Sequence, residues 1–258
     1  MPDTVRLHHV VDGDTGPVVM LGASLGTDLS LWDDLAADLA RDHRVVRFDT
    51  RGHGRSPAPE GGYTVGGLAA DVVALADELG VDRFAYVGLS LGGAIGQVLA
   101  LAHPQRLTSL VLACTAPVFG EPATWRDRAG LVRREGLDSL VEPTFARWFT
   151  EDFRASDPEA VGWVREMFLA TPRAGYAGCC EALAEYDVTD RLGRFAVPTR
   201  VVAGAEDPGT PPEVGRSMVA AIRDADLVVI EGAAHIANLA RPTEFRSAVR
   251  GHLAATGA

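Results

Sequence analysis

The sequence predicts an α/β fold in which a doubly wound, mostly parallel sheet carries an inserted helical cap. Three features of its 258 residues support this fold class. Short apolar runs alternate with helical patterns along the chain. The runs are continuous in Val, Ile and Leu, which is typical of strands in a parallel sheet that is covered on both faces. The alternation is interrupted once, between about residues 119 and 192, where no convincing strand pattern is present.

Each apolar run predicts one strand. The six runs are Val18–Ala23, Arg44–Asp49, Phe84–Leu89, Leu107–Ala116, Thr199–Ala205 and Asp226–Gly232. Helical patterns stand between most of them, and this alternation implies right-handed crossovers between parallel strands.

Apolar stripes and end signals predict the helices. Ser30 is predicted to cap a first helix, because Asp33 follows three residues later and an apolar stripe begins behind it. A second stripe of Leu68, Val72, Leu75 and Leu79 stops at Gly80, a typical helix end. Two further helices are predicted, from Gly92 to Ala102 and from about Pro242 to Leu253.

The strandless region is rich in aromatic and charged residues and has helical segments. It has no Gly/Ser-rich linker on either side and no internal repeat, so we interpret it as an insertion into one domain. The predicted organisation is a core of residues 1–118 and 193–258 with a helical cap of residues 119–192.

Composition narrows the classes of partner. The formal net charge of -11 argues against nucleic acid and against an anionic membrane. No apolar run approaches membrane-spanning length, and the first residues lack the regions of a secretory signal. Cys114, Cys179 and Cys180 have no CxxC spacing, which predicts reduced, packed thiols and a cytoplasmic location.

A serine stands between glycines where one predicted strand ends. Gly88-Leu89-Ser90-Leu91-Gly92 gives the pattern G-x-S-x-G between a strand and a helix. That context is what a nucleophile elbow needs, with the serine hydroxyl exposed above the sheet. The glycines remove side chains that would clash in the bend, and the helix N-terminus favours negative charge. Ser90 is therefore predicted to be a nucleophile.

A serine nucleophile needs a base, and the base needs a group that orients it. Behind such an elbow, the acid and the histidine follow the serine at later strand ends. Asp207 follows the fifth apolar run and His235 follows the sixth. Glu206 is the rival of Asp207, but Asp207 is better placed to reach across to the histidine. The predicted catalytic residues are Ser90, Asp207 and His235.

The other six histidines fit the role of base less well. His53 is the most tempting, because it lies in Arg51-Gly52-His53-Gly54-Arg55-Ser56 directly after a strand end. The base is already supplied, however, and turns of this kind are usually structural. We interpret His53 as a structural residue.

Over essentially its whole length the chain resembles the α/β-hydrolase superfamily, and more narrowly the 3-oxoadipate enol-lactonases of aromatic catabolism. The narrower resemblance lies in Ser24-Leu25-Gly26-Thr27-Asp28 with Trp32, Arg147-Trp148-Phe149-Thr150, Gly175-Tyr176-Ala177 with Cys179-Cys180, and the run from Gly204 to Pro212. The stretches in the cap matter most, because caps differ between subfamilies while the triad does not. Ala23 departs from the pattern, which has a polar residue, often Asn, at that position.

The resemblance implies how a lactone would be opened. Ser90, activated by His235, would attack the carbonyl carbon, and Asp207 would hold the imidazole. By position, the backbone N–H groups of Leu25 and Leu91 would form the oxyanion hole. Water activated by His235 would then release the acid. No cofactor, metal ion or organic group is implied.

Candidate substrate contacts lie in the loop after the first run and in the cap. Ser24 is in that loop, and Trp148 would shape the pocket and exclude water. Arg133, Arg134 and Arg147 are expected to be solvated, but any of them that faces the pocket would attract a substrate carboxylate. The predicted partner is a small-molecule lactone or ester, and the oligomeric state is left open.

Two alternatives to the lactonase remain. A general carboxylesterase or a cofactor-free perhydrolase would use the same triad, and only the cap favours the lactonase over them. A ligand-binding receptor would keep the fold without turnover, and the intact triad argues against it.

Overall fold

The structure is a computed structural model that describes residues 4–258. Its strands are β1 His9–Asp12, β2 Val18–Gly22, β3 Arg44–Phe48, β4 Phe84–Leu89, β5 Leu107–Ala113, β6 Thr199–Gly204 and β7 Ala225–Ile230. Its α-helices are α1 Asp33–Leu39, α2 Val65–Glu78, α3 Leu91–Ala102, α4 Pro122–Glu135, α5 Val141–Trp148, α6 Glu151–Ser156, α7 Pro158–Ala170, α8 Arg173–Ala184, α9 Pro212–Ala221, α10 Ala237–Ala240 and α11 Pro242–Thr256.

The described strands form one sheet in the order β1-β3-β2-β4-β5-β6-β7. Every neighbouring pair is parallel except β1 with β3, which is antiparallel. Helix α3 packs against α2, helix α11 packs against α1, and both α3 and α11 contact β5. The predicted doubly wound, mostly parallel sheet is confirmed.

The strand order reverses between β2 and β4. In open α/β sheets the crevice at the carboxyl ends of the two strands that flank such a reversal is the usual ligand site. The loop after β2 and Ser90 after β4 both lie at this point. The topology therefore brings the two predicted parts of the oxyanion hole together.

The predicted strands differ from the observed ones mainly at their ends. β5 stops at Ala113, three residues before the predicted end, because Cys114 turns the chain with a φ of 43°. β1, a four-residue edge strand in which Val11 is exposed, was not predicted from the sequence. So short and partly exposed a segment lacks the apolar run that identified the others.

The prediction that Ser30 caps the first helix was wrong. The Asp28 side chain accepts a hydrogen bond from the Ser30 backbone N–H and caps a short 3₁₀ helix over Leu29–Trp32, from which α1 continues at Asp33. Ser30 instead donates its hydroxyl to Asp28 at 2.5 Å. Both residues are good caps, and the 3₁₀ turn moved the cap two residues upstream.

Helices α4 to α8 occupy the chain between β5 and β6. Gly175 of α8 packs directly against Gly52 in the loop after β3. A Cβ on either glycine would strike the backbone of the other. Gly26, with a φ of 80°, lies under two aromatic rings, and a Cβ there would come within 2.7 Å of Phe168. These helices therefore pack closely on two loops, with backbone contact at Gly52 after β3 and with aromatic side chains at Gly26 after β2.

The described residues contain no helix that is both long and apolar enough to cross a membrane. The three cysteines are free and buried, which agrees with their interpretation as packed thiols. Burial raises the pKa of each of these thiols.

Candidate active site

Ser90 sits on a tight bend between β4 and α3. Its φ of 56° and ψ of -109° are unusual for a residue with a side chain, and such backbone conformations cost about 1–3 kcal/mol. Hydrogen bonds hold the bend: the Ser90 N–H donates to the Ala113 carbonyl at 2.9 Å, and the Thr115 hydroxyl donates to the Ser90 carbonyl at 2.8 Å. The bend leaves the Ser90 side chain at the end of the sheet, as the elbow motif predicts.

Glycine is required next to Ser90 by close packing. A Cβ on Gly88 would strike the Gly92 carbonyl, and a Cβ on Gly92 would strike the Gly22 carbonyl. A Cβ on Gly93 would come within 2.6 Å of Thr115. The glycine spacing of the motif therefore follows from the contact of α3 with β2, β4 and the segment after β5.

Ser90, His235 and Asp207 form one hydrogen-bonded series. The distance from Ser90 Oγ to His235 Nε2 is 2.8 Å, and that from His235 Nδ1 to Asp207 Oδ2 is 2.7 Å. All three residues are buried. With Nδ1 donating to the carboxylate, Nε2 is free to accept the Ser90 proton. The arrangement can therefore activate a serine for attack on an acyl carbon.

Asp207 is held as a carboxylate by its neighbours. Burial opposes its ionisation, but the facing His235, the Thr210 hydroxyl and the Gly209 N–H outweigh burial and lower the pKa to about 2. The Thr210 hydroxyl donates at 2.6 Å and the Gly209 N–H at 2.8 Å. Glu206, its rival in the sequence, is exposed.

The backbone around Leu25 and Leu91 fits an oxyanion hole. The Gly92 N–H donates to the Ala23 carbonyl at 3.1 Å and joins α3 to the loop of residues 23–27, here called the oxyanion loop. Within that loop the Thr27 N–H donates to the Ser24 carbonyl, and the Gly26 N–H donates to His53. Because the neighbouring amides are engaged in this way, the Leu25 and Leu91 N–H groups are the candidates for binding an oxyanion.

His53 supports the oxyanion loop through a hydrogen bond to its backbone. Its Nε2 accepts the Gly26 N–H at 2.9 Å, and its Nδ1 lies 3.3 Å from the Arg51 carbonyl. These partners require the neutral ring with the proton on Nδ1. Burial lowers the pKa of His53 to about 4. The side chain thus acts through the loop and does not contact the triad, in line with its structural interpretation.

The buried His53 predicts a loss of stability in mild acid. Between pH 6.5 and about 4 an unfolded chain binds a proton at this histidine that the folded chain does not bind, so stability falls as the pH falls. The shift corresponds to about 3 kcal/mol. We expect His53→Gln, which can accept the Gly26 N–H but does not titrate, to lose less stability than the wild type between pH 7 and 4.5. Urea unfolding at both pH values measures this, and equal losses in the two proteins would contradict it.

A cavity with about 560 Å³ of empty space, including its open mouth, lies over the triad. Ser24 and Leu25 of the oxyanion loop line it together with Ser90, Asp207 and His235. Helices α4, α5 and α8 contribute Trp125, Arg128, Thr144, Arg147, Trp148 and Tyr176. The Trp148 carbonyl also accepts the Ile236 N–H at 3.1 Å, which ties the end of α5 to the loop that carries His235.

The predicted arginines divide between the cavity and the surface. Arg147 lines the cavity at an exposed position. Arg133 forms an ion pair with Glu181, and neither Arg133 nor Arg134 is among the lining residues. Arg128, which was not predicted from the sequence, also lines the cavity. Its guanidinium donates to the Tyr176 hydroxyl at 3.1 Å and lies 5.5 Å from the centroid of the Trp125 ring. The spacing of Trp125 and Arg128 on one helix face was the available signal.

No group of three or more His, Cys, Asp or Glu side chains within residues 4–258 is arranged to hold a metal ion. Within the same residues, no carboxylate forms an ion pair with Arg128 or Arg147. Both guanidinium groups stabilise the ionised form of the Tyr176 phenol, although burial raises its pKa overall. The cavity thus has a positive wall in a protein of net negative charge.

Known proteins share this architecture and much of the sequence. The 3-oxoadipate enol-lactonase 2 of Acinetobacter baylyi is 40% identical over 95% of this chain and 92% of its own. The crystal structure of the enol-lactonase from Burkholderia xenovorans LB400 superposes with a TM-score of 0.94 at 38% identity, covering 97% of each chain. A thermophilic esterase from Thermogutta terrifontis, solved with malate bound, also has a TM-score of 0.94, at 29% identity over 98% of this chain and 95% of its own.

Family models agree with these likenesses. A model described as TAP-like protein matches residues 179–256. A model described as alpha/beta hydrolase fold matches residues 16–155, which include the oxyanion loop and the Ser90 elbow. With this match and the 40% identity to a whole relative, the chain belongs to the α/β-hydrolase family.

Proposed function

We propose that the chain is a serine hydrolase that opens a small enol-lactone carrying a carboxylate, with 3-oxoadipate enol-lactone as the leading substrate. The observation that carries the proposal is the cavity, in which the Ser90–His235–Asp207 series lies beside two guanidinium groups without carboxylate partners among residues 4–258. The relatives named as enol-lactonases support the same substrate.

The reaction would use each member of the series in turn. Ser90 Oγ bonds to the lactone carbonyl carbon while its proton moves to His235 Nε2. The Leu25 and Leu91 N–H groups bind the resulting oxyanion, a contribution of about 3–4 kcal/mol per donor in related hydrolases. The ring C–O bond then breaks, the enol oxygen takes the proton from His235, and the enol becomes a ketone. Water, deprotonated by His235, attacks the acyl-enzyme and releases the acid and Ser90.

Residues 119–192 would act as a cap over this chemistry. Trp148 is buried, lines the cavity and packs with Phe145 and Phe168 at centroid distances of 5.4 and 5.6 Å. This aromatic cluster supports the proposed role of Trp148 in shaping the pocket and excluding water. The core would then be residues 1–118 and 193–258, and the free, buried thiols favour a cytoplasmic location.

Arg128 and Arg147 would bind the substrate carboxylate. We expect Arg128→Gln to raise KM for 3-oxoadipate enol-lactone about tenfold, since hydrogen bonds to a charged group contribute about 1.5–3 kcal/mol. Arg147→Gln should have a smaller effect, because an exposed charge is screened by solvent.

The matched control for these variants is Arg134→Gln, which removes a guanidinium from the same helix as Arg128 but from outside the cavity lining. Initial-rate kinetics on the enol-lactone and on 5-methyl-2(3H)-furanone, which has the same ring without the carboxylate, separate charge recognition from general damage. An equal loss on both lactones would show that Arg128 has only a packing role.

A carboxylesterase is the second candidate, because the Thermogutta esterase matches the whole architecture. A spectrophotometric assay of the purified protein on 3-oxoadipate enol-lactone and on p-nitrophenyl acetate decides between them. If the chain is a lactonase, its kcat/KM on the lactone is expected to be about 10⁴ M⁻¹s⁻¹ or above. Weak lactone turnover with efficient ester turnover would overturn the lactonase and leave the esterase.

A further inference from the structure

The hydroxyl of Thr144 has no hydrogen-bond partner among residues 4–258, although it is buried. Only 4% of the residue is exposed, and it lines the cavity that contains Ser90 and His235. A hydroxyl without a partner in such a place costs free energy that an apolar side chain of the same shape would not. This position on α5 therefore calls for a partner that is absent from the protein itself.

Helical position alone does not explain the missing bond. A threonine hydroxyl in a helix commonly donates to the carbonyl four residues earlier. Thr171 does so to the Met167 carbonyl at 3.3 Å, and Thr256 does so to the His252 carbonyl at 2.9 Å. Thr144 makes no such bond. Thr144 lines the cavity, and its buried hydroxyl has no partner among the described residues, so this hydroxyl is the group on Thr144 that could donate to a molecule bound there.

The surroundings select the chemistry of that molecule. Arg147 lies one helical turn after Thr144 and also lines the cavity, which places a hydroxyl and a guanidinium on one face of α5. Arg128 lines the same cavity from α4. The Asp207 carboxylate lines the cavity as well, but no carboxylate within the described residues forms an ion pair with Arg128 or Arg147, so both guanidinium groups are available to an anionic oxygen of a bound molecule.

We propose that Thr144 determines specificity by donating its hydroxyl hydrogen to a carboxylate oxygen on the side chain of a γ-lactone, beside Arg147. The inference rests on the proposed function and adds to it an uncharged hydrogen-bond donor, the Thr144 hydroxyl, that recognises the carboxylate. The ring carbonyl is bound elsewhere, by the Leu25 and Leu91 N–H groups, so the carboxylate and the reacting carbon occupy opposite ends of one substrate.

Two variants and two lactones test this role. Thr144→Val keeps the shape and removes the hydroxyl, while Thr144→Ser keeps the hydroxyl and removes a methyl group. For each protein, kcat/KM is measured on 3-oxoadipate enol-lactone and on 5-methyl-2(3H)-furanone. We expect Thr144→Val to lower the ratio of the two values at least tenfold through KM, and Thr144→Ser to stay within about threefold of the wild-type ratio. A ratio in Thr144→Val equal to that of the wild type would overturn the proposal.

A binding measurement separates this inference from the proposed function. In the Ser90→Ala background, calorimetry gives Kd for the carboxylate-bearing lactone and for the neutral lactone, with and without Thr144→Val. If the wild type hydrolyses neither lactone, the proposed function fails, and a tenfold loss of carboxylate selectivity on Thr144→Val would still support the inference. Absence of binding of the carboxylate-bearing lactone, or unchanged selectivity in Thr144→Val, would overturn it.

Discussion

Ser90→Ala is expected to lower kcat/KM on the enol-lactone by about 10⁵-fold or more, because no other group can form the acyl-enzyme. The variant should keep its fold, since Ser90 Oγ has His235 as its partner and the hydrogen bonds that hold the bend come from the Ser90 backbone. A small residual rate from the oxyanion hole and substrate binding is expected to remain.

The measurement needs both activity and stability. Steady-state kinetics with enough variant to detect a 10⁶-fold loss are compared with thermal unfolding followed by circular dichroism. Ser217→Ala, which removes an exposed serine hydroxyl from α9, is the matched control and should retain full activity. Activity above about a tenth of wild type in well-folded Ser90→Ala would overturn the nucleophilic mechanism, whatever the substrate.

Asp207→Asn is expected to lower kcat by about 10⁴-fold with little change in KM, an effect that such a substitution has in other triads. The carboxylate accepts the Nδ1 proton of His235 at 2.7 Å, together with the Thr210 hydroxyl and the Gly209 N–H. In the variant, the asparagine oxygen would take the Oδ1 position, which accepts the Gly209 and Thr210 backbone N–H groups. Its NH₂ would take the Oδ2 position and face both His235 Nδ1 and the Thr210 hydroxyl oxygen. His235 would then carry its proton on Nε2, where it can no longer accept the proton of Ser90.

Glu206→Gln is the matched control, because it neutralises the adjacent but exposed carboxylate. Its kcat should stay close to that of the wild type, and a loss as large as in Asp207→Asn would contradict the assignment.

The stability of Asp207→Asn gives a second readout. The pKa of about 2 lies below the ordinary value of 3.8, so the ionised Asp207 stabilises the fold above pH 3.8 and this contribution disappears only as the pH falls towards 2. At neutral pH we expect Asp207→Asn to be less stable by about 2 kcal/mol.

The parts of the fold that repeat a local pattern could be predicted from the sequence. Every strand that is buried in the sheet has a continuous apolar run, so its position was predicted to within three residues. β1 was not predicted, because this four-residue strand has polar residues at both ends and an exposed Val11, and so lacks such a run. The cap is Asp28 and not Ser30 because both residues, two positions apart, can cap a helix, and the 3₁₀ turn that begins at Leu29 selects Asp28.

The site residues likewise include some that a local sequence pattern predicts and some that only the packing reveals. The elbow around Ser90 has a glycine spacing that the backbone contacts require, and the ends of β6 and β7 bring Asp207 and His235 to it. Which arginine lines the cavity could not be predicted from the sequence, because a helix in the insertion has several exposed positions and its sequence does not show which face meets the cavity. Arg128 rather than Arg133 or Arg134 lines the cavity because of how α4 packs on α8. The unpartnered hydroxyl of Thr144 could be found only once its surroundings were known.

The positive φ at Ser90 lowers the stability of the fold at the residue on which turnover depends. Glycine adopts such a conformation without the steric cost that a Cβ brings, so Ser90→Gly should relieve the strain even as it removes the reactive oxygen. A laboratory selection for heat resistance alone would therefore accept glycine at position 90 and yield a sturdier but inert protein. Thermostable variants of this enzyme need to be selected for turnover and stability together.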